Sequence, residues 1–315
     1  MMMHMNLIRS LYNIQPEHRG CVLTIGNFDG VHLGHQQLIK YASEKARKMN
    51  VPLIVMTFEP HPAEFFAKTP TVPRLSNLRE KCQALWQSGA DFILLMPFNQ
   101  KLADVSASDF IDMIHANLQP LSIIVGDDFH FGSKRQGNIA LLQERGKHSG
   151  FSAESLPTIM QNGERISSTR VRKALQAGDH ELVKQLLGGR YSMLGKIRHG
   201  DHLGRQWGFP TANIFLHRRL SPVHGVYTVQ MSGIADEPLP GVANVGNRPT
   251  VDGTKTLLEV HLLDFNQDIY GCSVKVEFCE KLREEIRYPT IELLREQIAK
   301  DVVIATNYFK QHGVL

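Results

Sequence analysis

The chain has little of what marks the extreme classes of protein. Its four cysteines, at 21, 82, 272 and 279, form no Cys-x-x-Cys pair, and His261 has no matching ligand set. Neither a zinc site nor a disulfide framework is expected, only reduced structural thiols. No apolar run is long enough to span a bilayer, and the Met-rich start, Met1 to Met5, lacks the basic segment and long apolar core of a signal peptide. A soluble, cytoplasmic protein with no membrane partner follows. Charge of one sign is scarce as well: 35 basic against 31 acidic residues give +4. No long basic block and no basic stripe with interleaved aromatics is present, so no nucleic-acid partner is expected. Anionic small molecules account for the mild positive balance equally well. There is no internal repeat or low-complexity tract. A homo-oligomer is compatible with this composition, which does not specify one.

What is there is ample apolar content, 42% over 315 residues, more than one core usually holds, so two domains are expected. From Cys21 to about Pro157 short apolar runs (Val51 to Phe58, Phe92 to Phe98, Leu121 to Val125) alternate with amphipathic stretches. That rhythm predicts a doubly wound parallel sheet. Helices are expected at about 76 to 88, 106 to 118 and 138 to 148, with Ser76 and Ser106 as N-caps. Two more follow, Thr169 to Ala177 and Asp179 to Leu187, and Gly188-Gly189 ends the second. The domain boundary is placed there, giving residues 1–187 and 188–315. Beyond it, segments such as Gly225 to Met231, Leu257 to Asp264 and Ser273 to Glu280 are separated by Gly, Pro and Asn, the texture of a small antiparallel barrel. A final helix from about Thr290 to Gln311 carries Ile291, Leu294, Ile298, Val302 and Ala305 on the stripe expected to pack on the barrel.

The run Gly-Asn-Phe-Asp-Gly-Val-His-Leu-Gly-His at 26 to 35 follows an apolar strand and opens a helix. Alone, His-x-x-His is a turn with two solvated histidines. With strand, glycines and helix in place it is a phosphate site: Gly26, Gly30 and Gly34 let the backbone approach, and the helix N-terminus favours negative charge. His32 and His35 share one face and can stabilise the charge that builds during transfer. Asp127 and Asp128 follow another strand, at the carboxyl edge where open α/β sheets bind ligands, and suit Mg²⁺ or a ribose. Phe58, Phe66, Phe129 and Phe131 can wall a flat aromatic ligand. Arg165, Ser167, Ser168, Thr169, Arg170 and Arg172 combine hydroxyls at a helix start with guanidinium forks suited to phosphate.

These residues resemble the nucleotidyltransferase superfamily, and Val125 to Gly137 narrows the likeness to the FAD synthetase module of bacterial bifunctional riboflavin kinase/FAD synthetases. The resemblance implies transfer of AMP from ATP to FMN. It implies ATP-site roles for His32, His35, Asp128, Arg165, Ser168 and Thr169 and places Pro62, Phe66 and Phe131 near the isoalloxazine; Gly26, Asn27, Gly34 and Arg172 are expected to bind phosphate beside them. Class I aminoacyl-tRNA synthetases share a similar histidine loop, but no Lys-Met-Ser-Lys-Ser element is present.

In the second half, Gly195 to Asn213 is glycine-rich, with Gly204 among the glycines, and closes on Pro210-Thr211-Ala212-Asn213, hard oxygen donors for a phosphate-bound Mg²⁺. It is not a Walker loop. Strand alternation puts Glu259 and His261 on one face. A protonated ribityl hydroxyl is a poor nucleophile, and a carboxylate within reach can act as its general base. Together with Gly225-Val-Tyr-Thr-Val229 and Gly241 to Thr250, these stretches resemble the flavokinase module. That likeness implies a six-stranded antiparallel barrel, Thr211 and Asn213 at ATP–Mg²⁺, Gly204 in the nucleotide loop, Glu259 as base, and Arg283 to Tyr288 with the last helix bordering the flavin. The function expected is riboflavin to FMN in the second domain and FMN to FAD in the first. The rivals are a flavokinase with an inactive first domain and a flavin-binding carrier or regulator without turnover.

Overall fold

The computed structural model of the chain describes residues 6–67, 72–199, 208–216, 218, 220–250 and 253–315. Its contacts divide into two compact units: the chain up to Val72 with Leu78–Ser168, and Pro73–Asn77 with Thr169–Leu315.

The first unit is the expected parallel sheet. Its strands are β1 (Leu7–Arg9), β2 (Val22–Ile25), β3 (Leu53–Glu59), β4 (Phe92–Pro97), β5 (Ser122–Gly126) and β6 (Ser152–Leu156), ordered β1-β4-β3-β2-β5-β6 and parallel throughout. Strands buried on both faces need continuous apolar runs, and β2 and most of β3 are fully buried. One face packs against α1 (Leu33–Met49) and α3 (Leu78–Gln87) through Leu38, Ile39, Ala42, Cys82 and Leu85. The other packs against α5 (Ala107–Leu118) and α6 (Ile139–Ser149), around Phe110, Ile114 and Leu142. The short α2 (Pro62–Phe66) and α4 (Gln100–Ala103) lie between strands and helices in sequence. Ser106 caps α5, its side chain accepting from the Asp109 amide. The helix expected to be capped by Ser76 begins at Leu78 instead, so residue 77 occupies the cap position and Ser76 is buried. After β2 the chain moves outward one way to β3 and β4, then returns to the other side for β5 and β6. The order therefore reverses between β2 and β5, and the loops after these two strands flank the crevice where such sheets take ligands. A two-residue hairpin, β7 (Met160–Gln161) and β8 (Glu164–Arg165), follows.

The second unit opens with α7 (Ser168–Ala177, from its second residue) and α8 (His180–Leu187), which ends on Gly188 in the left-handed region. Then β9 (Ser192–Arg198), β10 (Ala212–Phe215), β11 (Gly225–Ser232), β12 (Leu239–Thr250), β13 (Gly253–Leu262) and β14 (Ser273–Arg283) close an antiparallel barrel in the order β10-β13-β12-β11-β14-β9. Closure leaves no unpaired edge. Ile214, Tyr227, Val229, Val245, Leu258 and Phe278 fill the interior and are all but inaccessible. The last helix, α9 (Ile291–Gln311), packs outside on Val226, Val242 and Cys279 with Ala305 and Phe309. Its buried stripe starts later than the sequence pattern suggests. Ile291 is exposed, and the first fully buried position of the helix is held by Asp301. Among the described residues no helix is long and apolar enough to cross a membrane.

Candidate functional sites in the two units

In the first unit, the carboxyl ends of β2, β5 and β6 converge on the start of α1. His32 is not in the helix but caps it, with Nδ1 accepting from the His35 amide at 3.4 Å. That bond leaves Nε2 to carry the ring proton and donate outward. The two rings stack, centroids 3.7 Å apart at 16°. At Gly34 a Cβ would stand 3.1 Å from the His32 ring, closer than ordinary contact, so any side chain there would have to displace that ring slightly. Burial, and next the Arg165 charge, push His32 down to about 4, against the opposing pull of Asp29 and Asp128. His35 is also held well below the usual histidine range, first by burial and then by His32, Lys81 and Arg165. At neutral pH both are therefore uncharged donors. The loop itself is strained: Phe28, Gly30 and Val31 all take positive φ, at 48°, 79° and 38°, and a β-branched residue there is a conformational outlier.

The two aspartates expected to act together are divided. Asp127 is spent on the scaffold, accepting from the Thr158 amide (2.8 Å) and hydroxyl (2.6 Å). Burial opposes its charge, but these bonds and Arg165 outweigh it and hold the carboxyl below its ordinary range. Asp128 instead pairs with Arg165, both half-exposed at the site. Ser168 donates to the Asp29 carbonyl at 2.8 Å, tying the start of α7 to the loop. Thr169 follows it, exposed. Gly26 lies at the end of β2, its amide bonded to Met56 O, and Asn27 is exposed. Arg172 is not gathered into this group. It belongs to the second unit's contacts, where its Nε donates to Pro73 O at 2.7 Å.

The aromatic residues also part company. Phe66 is exposed and meets Phe65 and Phe98 edge-to-face, with Phe58 against Phe98. Pro62 opens the helix that carries Phe66. Phe131 is a core residue, stacked on Phe129 and tilted against Phe110. Sequence reasoning missed Phe65 and Phe98, which carry no motif.

In the second unit, register assembles the site. Glu259 on β13 stands opposite Asn213 on β10 and opposite Asn244 on β12, and Asn213 is opposite Arg198. The neighbours Ala212, Ile214, Leu258 and Val260 point into the barrel, so these polar residues share its outer face. Asn244 was not foreseen. Its Oδ1 is buried and has no hydrogen-bond partner among the described residues. His261 is anchored through Nδ1 to Pro210 O at 2.9 Å, which fixes the Pro-Thr-Ala-Asn segment to β13. Thr211 and Asn213 line a cavity of about 170 Å³, closed on the other side by the loop Phe265 to Tyr270. Gly204 lies outside the described residues. Arg283 is held by α9: its Nε and Nη2 donate to the Asp301 carboxylate at 2.7–3.1 Å, and its guanidinium lies 5.9 Å from the Tyr288 ring centroid.

For Mg²⁺ the donors present are hard oxygens. Thr211 and Asn213 in one unit and Asp128 in the other suit a small cation that keeps most of its shell as water and substrate phosphate. Among the described residues there is no cluster of three His, Cys, Asp or Glu side chains that would make a protein-only metal cage.

Comparison with known proteins follows the same division. The family model described as FAD synthetase matches residues 14–170 and that described as riboflavin kinase matches residues 187–309. The bifunctional riboflavin kinase/FMN adenylyltransferase of Escherichia coli (strain K12) is 46% identical over 307 residues, 97% of this chain and 98% of its own length. That of Haemophilus influenzae is 46% identical over 306 residues, 97% and 99%. A solved chain from Streptococcus pneumoniae, described as a macrolide-efflux protein, matches with a TM-score of 0.81 at 30% identity, covering 96% of this chain and 99% of its own. With near-complete coverage at this identity and a matching module in each half, the chain belongs to the family of bifunctional riboflavin kinase/FMN adenylyltransferases.

Proposed function

We propose that the chain catalyses two successive ATP-dependent steps on a flavin, phosphorylation of riboflavin to FMN at the barrel and adenylylation of FMN to FAD at the parallel sheet. The observation that carries the reading is the chemical contrast between the sites: neutral imidazoles with an arginine at one, a carboxylate flanked by amides at the other.

At the sheet, a phosphate oxygen of FMN attacks the α-phosphorus of ATP. The bond from that phosphorus to the bridging oxygen breaks, and diphosphate leaves. FMN is already ionised at neutral pH, so no base is needed, and catalysis is positioning and charge neutralisation. His32 and His35 donate to phosphate oxygens without a like charge on each other, and Arg165 supplies the permanent cation. The backbone at Gly26, Asn27 and Gly34 and the hydroxyls of Ser168 and Thr169 cradle the nucleotide phosphates. Pro62 and Phe66 face the isoalloxazine, and Phe131, stacked on Phe129 in the core, supports the flavin side of the site. Arg172 has a secondary role, through the segment it anchors.

At the barrel, Glu259 takes the proton of the ribityl 5′-hydroxyl as that oxygen bonds to the γ-phosphorus of ATP and ADP leaves. Thr211 and Asn213 would hold the Mg²⁺ of the nucleotide, and Asp128 would do so at the other site. The chemistry it would supply at either site is neutralisation of the charge that develops on the transferred phosphoryl group. Gly204 belongs to the loop over the nucleotide, and Arg283, Tyr288 and α9 border the flavin. Four free thiols, three of them buried, suit a reducing compartment, and we place the protein in the cytoplasm.

Incubating the protein with riboflavin, ATP and Mg²⁺ and separating the flavins chromatographically should yield FMN and then FAD. Replacing both His32 and His35 by Ala should abolish FAD formation from FMN and spare riboflavin phosphorylation. Undiminished FAD from that double variant would remove the assignment of the sheet site.

A further inference from the structure

Lys81, on α3, is 1% exposed, one of the largest fully buried side chains of the protein. Burying an ammonium is costly, and such a group is held where its charge and its donors are used. Its Nζ donates to the Thr57 hydroxyl at 3.5 Å, and that hydroxyl donates in turn to the Asn27 carbonyl at 3.2 Å. Thr57 is itself fully buried, on the β3 face that packs against α1 and α3. Asn27 opens the strained stretch in which Phe28, Gly30 and Val31 all have positive φ. A backbone in such a conformation persists only where its surroundings over-determine it. Lys81 also bears electrostatically on His35. One buried cation thus reaches both the base of the phosphate loop and the histidine pair.

We propose that Lys81 is a positioning residue of the adenylyl-transfer site: by fixing the Thr57 hydroxyl so that it donates to Asn27 O, it holds the Gly26–His32 loop in the shape that receives the ATP phosphates. The relay has a definite direction. The ammonium can only donate, so it occupies a lone pair of the hydroxyl and turns its single proton toward the loop. An apolar side chain of the same length would fill the space and leave that proton free to rotate away. The inference rests on the adenylyl-transfer reading of this site.

The test uses the full chain with Thr57→Val, which keeps the shape and removes the hydroxyl, Lys81→Met, and the double variant. KM for ATP and kcat of FAD formation from FMN are measured beside riboflavin phosphorylation and amide hydrogen exchange of residues 26–32. Each single variant should lower kcat/KM for ATP by roughly tenfold to a hundredfold, the scale of a lost bond to a charged partner, chiefly through KM. The double variant should be little worse than either single one, because both cut the same relay. Exchange should rise in the loop and not in α5 or α6. Wild-type KM and loop exchange in Thr57→Val would overturn the inference even if Lys81→Met fails to fold, and so would losses that multiply in the double variant. A wild type that makes no FAD refutes the adenylyl-transfer reading instead, and loop exchange still decides whether the relay holds the loop.

Discussion

Neutral imidazole is the form in which His32 caps α1, because protonation of Nδ1 would remove the acceptor for the His35 amide. Its proton affinity in the fold, about 4, lies below the ordinary 6.5. Between those values the unfolded chain binds a proton that the folded chain does not. Stability is therefore complete above pH 6.5 and falls as the pH drops toward 4, by up to about 3 kcal/mol for this one group. The unfolding midpoint should drop between about pH 7.5 and about pH 5, and His32→Asn, which keeps a capping oxygen, should flatten that drop. An unchanged slope in the variant would show that other groups set the acid sensitivity. Glu259 gives the second residue-scale expectation. Riboflavin offers an alcohol that must lose a proton, whereas FMN offers a phosphate already ionised. General-base assistance is worth about 10²- to 10⁴-fold, so Glu259→Gln should lower FMN formation by that factor while FAD formation from supplied FMN stays near wild type. Equal loss of both rates would indicate misfolding or a shared site.

Helix α9 illustrates what an element's sequence conceals. Its apolar spacing predicts packing on the barrel, and Ala305 and Phe309 do pack there, yet the first buried position of the stripe is Asp301, 2% exposed. The carboxylate is satisfied by the Arg283 guanidinium and by Gln297 Nε2 at 2.9 Å. Removing one partner of such a pair strands the other charge. Asp301→Ala should destabilise the second unit by about 3 kcal/mol and accelerate hydrogen exchange along α9, whereas a joint replacement of Asp301 and Arg283 by Leu and Met should recover much of the stability. No change in α9 exchange on Asp301→Ala would show that its apolar contacts suffice. Elements with a strong pattern, such as α1, α5 and β2, were legible because their apolar residues recur at the helical or strand period next to a capping side chain. The short β1, α2 and the β7–β8 hairpin were not, since two to five residues carry no period.

At the scale of the whole molecule, the chain does not divide at a single point. Helices α7 and α8 cluster with the barrel, and so does Pro73–Asn77, which lies far upstream in sequence. Within that unit the Arg218 guanidinium donates to Arg74 O (2.9 Å) and Leu75 O (3.1 Å), and the Tyr191 hydroxyl to Leu75 O (2.9 Å). The family models stop at 170, in the first turn of α7, and resume at 187, the last residue of α8, so most of both helices lies between them. We expect a fragment from residue 169 and a shorter one from residue 187 both to phosphorylate riboflavin. The longer should unfold at the higher temperature, because it keeps the apolar faces of both helices, with Val171, Leu175, Val183 and Leu186 buried. A folded but inactive longer fragment would mean that the kinase site depends on residues before 169.

The sequence by itself determined the two folds, the strand–glycine–helix setting of His32 and His35, and the alternation that puts Glu259 and His261 on one face of their strand. These follow from local periodicity and from backbone rules that act over a few residues. Only the tertiary structure decided which polar residues meet. It split Asp127 from Asp128, seated Arg165 against Asp128, aligned Asn213, Glu259 and Asn244 on three strands, and buried Lys81 beneath the loop. Such pairings join residues tens of positions apart, and they are fixed by strand register and by the need to satisfy every buried polar group, neither of which leaves a mark in the order of the residues.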